Sequence, residues 1–482
     1  MILTSTVLFF IAVSLILYII VPGSLKRYVL LAASLVYILM EGGMSALVAV
    51  LCMSVFTYIA GMLAVFEKSR GGSGSVSAAI GISALILTLF SWKYLPWGTS
   101  VVTGSAPEWV SGLAPPIGLS FYTFQAISYL ADIKSGKIKK SAGAWIFFLY
   151  MTWFPKWMSG PIEREQGFES AVISAGKASV FDSDRFVRAI SYIIWGMFMK
   201  LVIADRIAVA ADAAFEQPEA FGSIPLIIAS LLYTMQIYCD FAGYTDMMLG
   251  VSLLFGVEIT QNFTTPYLTQ SITMFWRSWH ISLSSFFRDY LYIPLGGNRK
   301  GRFRKGLNTV IVFLLCGIWH GAGFTFIIWG LLHGIYNVFN DLIRNTKAKF
   351  LQKGVPGTIV TFCMVSFAWI FFRASSLGNA ALYIKNMLVP AGMPLFEGFK
   401  SEDGLILNMA GMEWLIGCAS MLLLIVMDAV SAAKKTTVPE LVSSFKSEAG
   451  RGALLLVVAL AILIFGRYGA GEEIRSFVYS QF

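Results

Sequence analysis

The chain has 482 residues, 57% of them hydrophobic and only 13% charged, against roughly 25% charged in soluble domains. That excludes an ordinary soluble enzyme and points to an integral membrane protein. The net charge of +9 is no argument for nucleic acid in such a chain, because Lys and Arg collect in its cytoplasmic loops.

Apolar segments fall near 2–21, 27–40, 45–66, 77–95, 117–131, 144–160, 186–203, 223–256, 308–343, 356–373, 412–430 and 452–466. A spanning helix needs about 20 apolar residues. The segments predict an all-α membrane protein of about 11 to 13 transmembrane or re-entrant helices. No soluble stretch exceeds about 40 residues, so residues 1–482 read as one polytopic membrane domain. The first segment has no basic residue before it and no small-x-small cleavage site, and reads as a retained span. The five cysteines all lie in apolar segments without a CxxC pair, which argues against a disulfide framework and a zinc site.

Charge sets the expected orientation. The basic stretches "SLKR" (24–27), "EKSR" (67–70), "KSGKIKK" (134–140), "GNRKGRFRK" (297–305) and "RNTKAKF" (344–350) are expected inside, which leaves the N-terminus outside. The stretch 96–116 holds no Lys or Arg and is expected outside.

The chain therefore leaves the cytoplasmic side after Lys305 and is back by Arg344. Between them lies "CGIWHGAGFTF", broken at Gly321 and Gly323. The outgoing piece 308–320 covers about 20 Å as a helix, short of a hydrocarbon core of about 30 Å. His320 is thus expected inside the membrane profile. There a non-helical turn is tolerated only within protein or beside a water-filled cavity, and an ionisable side chain is a functional candidate. His333, along the returning span, reads as a structural histidine that bonds across helices.

The richest stretch is "FWRSWHISLSSFFRDYLYIPLGGNRKG" (275–301). Trp276, Trp279, Leu283, Phe286 and Tyr290 are spaced as one apolar face of a helix lying at the interface. His280 and Asp289 are not required by such an anchor. The loop "NRKGRFRKG" reads first as a topology and anionic-lipid signal. Its second reading is contact with a cofactor's phosphates, although no phosphate-loop fingerprint is present. Further polar intrusions are Gln236, Asp240 and Asp246 in "QIYCDFAGYTDMMLG" and Lys156 in "MTWFPKWMSGPIERE". Each buried charge needs a partner or a wet cavity. "NFT" at 262–264 matches a glycosylation sequon, a motif too short to be specific.

Taken in order, "PPIGLSFYTFQAISYLADI", "FPKWMSGPIER", "DFAGYTDMMLG", "NFTTPYLTQSITMFWRSWHISLSSFFRDYLYIPLGGNRKG" and "CGIWHGAGFTFIIWGLLHG" resemble the membrane-bound O-acyltransferases. Within that family they are similar to the bacterial polysaccharide branch, the alginate O-acetyltransferase-like proteins. The resemblance covers about residues 100–375, the catalytic core. Residues 376–482 would form a C-terminal outer loop and the last two spans.

The resemblance implies helices around a central tunnel, where a cytosolic thioester and an acceptor hydroxyl meet from opposite faces. It implies His320 as catalytic base and His280 as the second active-site position. Trp276, Asp289, Asn298, Trp319 and Asp240 become candidates for lining substrate and tunnel, and Arg288, Arg299 and Lys300 for holding the donor. No bound cofactor and no metal are implied; acetyl-CoA is the acyl-donor substrate. The expected function is O-acetylation of an extracytoplasmic polysaccharide from the bacterial cytoplasmic membrane, directly or through a secreted or membrane-anchored SGNH-type partner transferase. Alternatives are the D-alanyl transfer protein of teichoic acids, a peptidoglycan O-acetyltransferase, and a non-catalytic polysaccharide or lipid transporter. Cys316, one turn before His320, reads as packing and not as a nucleophile, because burial raises a thiol's pKa.

Overall fold

The computed structural model describes residues 4–104, 107, 110, 115–141, 143–177, 179, 182–389, 394–401, 403–468 and 477. Most of the expected outer loop at 96–116 beyond Gly104, and much of the C-terminal end, lie outside the described residues. Among the described residues the fold is helical, with only isolated bridges at Lys400, Ile406 and Met409 and no strand.

The chain groups into two compact units, Met1–Ile190 with Met248–Gln261, and Ser191–Met247 with Asn262–Phe482. Eight helices, as described, are long and apolar enough to cross a membrane. The protein is therefore a multi-pass membrane protein.

In the first unit, α1 (Ser5–Ile20) precedes α2 (Gly23–Ser69), a run of 47 residues broken at Gly43. That run takes in both of the separately predicted segments at 27–40 and 45–66. Next come α3 (Ser75–Thr103) and α4 (Leu119–Ser135). The predicted segment 144–160 makes no span: α5 (Ala144–Thr152) stops at nine residues, and a single further turn follows at Phe154–Trp157. Pro155 at the start of that turn and a polar centre at Lys156 explain the stop. Lys156 is fully buried and donates to the Gln125 side chain and the Tyr150 carbonyl. Its ammonium lies 4.5 Å from the Tyr150 ring centre and 4.9 Å from that of Phe168. Tyr150 Oη donates to the Gln125 and Glu163 carbonyls, both at 3.0 Å. The Glu163 carboxylate accepts from the Thr260 amide and, at 3.0 Å, from its hydroxyl. The amphipathic α6 (Glu165–Lys177) follows.

α7 (Ser183–Met197) and α9 (Ser223–Leu254) contribute residues to both units. Between them the second unit holds a π-helical turn, Phe198–Ala204, and α8 (Asp205–Glu216). That turn carries Lys200, whose ammonium reaches Asp205 at 2.8 Å and Asp240 of α9 at 2.6 Å. Asp240 thus has the cation that its burial demands.

The same unit continues with α10 (Ile272–Ser278), α11 (Ile281–Phe287), α12 (Gly301–His320), α13 (Phe324–Ile343), α14 (Gly354–Arg373), α15 (Leu377–Leu388), α16 (Gly411–Lys434) and α17 (Glu448–Phe465). α12 and α13 form a tight hairpin. A Cβ on Gly317 would come within 3.1 Å of Gly330 Cα, and one on Gly334 within 3.0 Å of Val310 Cα. Small residues let two backbones approach where lipid gives no hydrophobic drive.

Candidate active site

α12 ends at His320 and α13 begins at Phe324, so the break falls where the glycines predict it. Its cause is space more than backbone freedom. Gly321 and Gly323 are extended, with φ −162° and −179°, and a side chain at Gly321 would collide with the Phe326 ring.

His320 is buried among aromatic rings of the second unit. Its ring centre lies 4.8 Å from Trp319, 4.9 Å from Trp329 and 5.3 Å from Phe372. Trp319 is also 6.4 Å from His280, so one indole neighbours both imidazoles. Trp329 is 4.8 Å from His333. His333 Nδ1 accepts from the Trp276 indole N–H at 3.2 Å, which places the proton of a neutral ring on Nε2. The three histidines thus belong to one chain of rings: His280, Trp319, His320, Trp329, His333, Trp276. Edge-to-face pairs of this kind contribute about 0.5–1.5 kcal/mol each, enough in sum to hold the imidazoles in fixed orientations.

The predicted interfacial helix over 275–290 is corrected. The structure breaks it at Trp279–His280 into α10 and α11, with a π-helical turn at Arg288–Tyr292. His280 has φ 44° and ψ 57°, the left-handed region that costs a non-glycine residue roughly 1–3 kcal/mol. The stretch at 262–264 compensates. The Asn262 carbonyl accepts from Ile281 N–H at 2.9 Å, its side-chain Oδ1 accepts from Ser282 N–H at 3.2 Å, and Thr264 N–H donates to the Ser278 carbonyl at 3.1 Å. Asn262 is 1% exposed, so the sequon is occupied by folding and not presented for modification. Phe241 meets the His280 ring edge-on at 4.9 Å, and Phe477 stacks on the neighbouring Tyr244 at 4.6 Å.

A cavity of about 1200 Å³ opens in the same unit. On α12 it is lined by Arg302, Lys305, Thr309, Val312 and Cys316, one face of the helix. That face runs about 21 Å and stops one turn, about 6 Å, short of His320. The outer end, away from His320, carries Arg302 and Lys305 on the first turns of α12 and Arg344 just past α13; Arg277 and Arg288 also line the cavity, as do the apolar Trp276, Phe313 and Cys316. Lys305 is paired with Asp341 at 2.6 Å and Arg288 with Asp289 at 2.8 Å. The glycine turn below it is shaped by Gly296 and Gly297, at φ 103° and 53°. Asn308 anchors that turn through bonds to the Leu295 and Gly297 carbonyls, at 3.3 and 3.1 Å.

Of the candidates read from the sequence, His280, Trp319, His320 and Trp276 come together in the ring chain. Trp276, Asn298 and Arg288 line the cavity, and Asp289 reaches it only through Arg288. Arg299 and Lys300 are exposed and outside the lining, where Arg277, Arg302, Lys305 and Arg344 stand instead. The Asp240 carboxylate is held by Lys200. Trp329 and Asn308 were not singled out by sequence, and Asn262 only as the start of a sequon. Of these only Trp329 carries a local signal, four residues before His333 on the same face.

The helix broken at His280, the hairpin that turns after His320 and the cation-lined cavity beside it make up the candidate site. The family model for membrane-bound O-acyltransferases matches residues 34–378, and the chain belongs to that family. It is 34% identical over 331 residues to a probable alginate O-acetylase of Pseudomonas aeruginosa, covering 67% of this chain and 62% of that one. It is 37% identical over 310 residues to a peptidoglycan O-acetyltransferase of Helicobacter pylori, 58% of each. To a teichoic acid D-alanyltransferase of Bacillus subtilis it is 28% identical over 332 residues, 65% of this chain and 81% of that one. The chain thus spans less than two thirds of the length of the two O-acetylating relatives.

Proposed function

We propose that the protein is an acetyltransferase of the bacterial cytoplasmic membrane, its N-terminus outside, that moves acetyl from cytosolic acetyl-CoA toward an extracytoplasmic polysaccharide. The observation that carries this reading is the placement of His320, buried one helical turn beyond a cavity whose outer end is cationic. Arg and Lys at that end suit the phosphates of a coenzyme thioester, and the apolar inner part suits its acyl end. His320 takes the proton of the acceptor hydroxyl. The hydroxyl oxygen bonds to the thioester carbonyl carbon, and the C–S bond breaks. The imidazolium then returns the proton to the leaving thiolate. His280 donates to the developing oxyanion. Burial keeps water from hydrolysing the thioester. The greater identity to the O-acetylating relatives than to the D-alanyltransferase favours acetyl as the group moved. A secreted or anchored SGNH-type transferase is the partner that would complete delivery to the glycan.

The test is alkali-labile acetate on surface polysaccharide in cells expressing wild type or His320→Ala at matched membrane levels. The expected result is loss of ester with polymer export intact. Unchanged ester removes His320 from the chemistry; loss of the polymer itself supports a transporter.

A further inference from the structure

His280 holds a backbone conformation that its own sequence neighbourhood does not dictate, and one upstream residue bonds to both amides that follow it. We propose that Asn262 is a positioning residue for His280, an inference that rests on the acyl-transfer reading above. Residues 278 and 281–282 flank the left-handed turn, and residues 262–264 bond to both flanks. The main-chain half of this clasp, from the Asn262 carbonyl and the Thr264 amide, would survive any substitution. The side-chain half, Oδ1 accepting from Ser282 N–H at 3.2 Å, depends on asparagine. It fixes the first turn of α11 immediately after His280, and so the direction in which the imidazole leaves the backbone. Phe263 packs on the same turn, 4.9 Å from Trp279 and 6.5 Å from His280. Oδ1 is engaged inward on the main chain and Asn262 is 1% exposed. The hydrogen bond that its side chain makes is thus to the turn that carries His280, while Nδ2 is buried with no hydrogen-bond partner among the described residues.

The experiment uses the full-length purified protein with acetyl-CoA and an oligosaccharide acceptor, together with whatever membrane fraction restores wild-type transfer. Asn262→Ala is expected to lower kcat per folded molecule by about 10²-fold, the cost of roughly 1 Å of misplacement, with donor KM within about twofold. Asn262→Asp keeps the acceptor oxygen and is expected to recover most of kcat. Asn262→Ala combined with His280→Ala should fall no further than His280→Ala alone. If Asn262→Ala does not accumulate, Asn262→Ser, too short to reach Ser282 N–H, carries the same measurement. Unchanged kcat per folded molecule would overturn the proposal, because it leaves Asn262 a purely structural residue. So would equal losses in the wild-type and His280→Ala backgrounds. A wild type that transfers no acetyl from any thioester refutes the acyl-transfer reading instead, a result distinguishable from both.

Discussion

The two units bury polar groups in opposite ways. In the first, Lys156 is closed in by the Gln125 side chain, the Tyr150 carbonyl and the rings of Tyr150 and Phe168. In the second, imidazoles sit among indoles, and Trp276 joins them to a cavity with cations at its far end. Polar burial in a membrane protein is therefore not itself a site. What marks the second cluster is open volume beside it, the room for substrate that the proposed transfer requires.

The largest expected effect that separates the two is on folding. Lys156→Met strands the Gln125 amide oxygen and the Tyr150 carbonyl, at a cost of roughly 1–3 kcal/mol for each buried acceptor left unpaired. Most of the detergent-extracted protein should then lose its monodisperse peak in size-exclusion chromatography. The surviving fraction should transfer acetyl normally, whereas His320→Ala should show the reverse pattern. A Lys156→Met protein that folds but cannot transfer would erase the distinction between the units.

A middle-sized effect concerns the cavity. Arg302→Ala is expected to raise donor KM by roughly 3–10-fold at constant kcat, a loss of uniform binding. The change should shrink as salt rises, since exposed charges are screened. Arg299→Ala, outside the lining, should leave KM alone. Equal effects of the two would return the whole loop to the role of a topology signal.

The smallest effect belongs to Glu165 at the start of α6, outside the spans. Burial pushes its pKa up from 4.5 to about 7, with Glu169 and Asp132 adding to the rise. A raised carboxyl pKa favours the protonated folded state. Its contribution is full below about pH 4.5 and is lost as pH rises through about 7. Glu165→Gln, neutral throughout, should therefore melt progressively higher than wild type between those values and not below them. A difference in melting temperature that stays flat with pH refutes the assignment.

The fold class and the hairpin break were legible because their signals are local: apolar runs of spanning length, and His-Gly-Ala-Gly inside one of them. His280 and Trp276 were legible as chemistry in an apolar stretch, but not as a turn. The spacing of Trp276, Trp279, Leu283 and Phe286 satisfies a single helix, and the groups that break it lie near Asn262, far enough upstream that no window joins them. Lys200 was likewise invisible as the partner of Asp240, because one lysine in "MFMKLVIADR" carries no hint of what it faces. Cavity walls are harder still. Arg299 and Arg302 read alike in a basic loop, and only the start of α12 at Gly301 separates them, leaving Arg299 on the exposed turn before the helix. The tests of His320 and Asn262 bear on the residues that the sequence marked and on those that it hid.

The glycine seam of the α12–α13 hairpin has a consequence for how the protein is made. α12 opens with Arg302, Arg304 and Lys305 and is not among the helices apolar enough to span by themselves. Its stay in the bilayer depends on α13, held close by Gly317, Gly330 and Gly334. The translocon thus receives the helix that ends in His320 before the one that secures it. The histidine reaches its depth only once the second arm has been synthesised and the pair has zipped together, so assembly of this site is a late step of membrane integration.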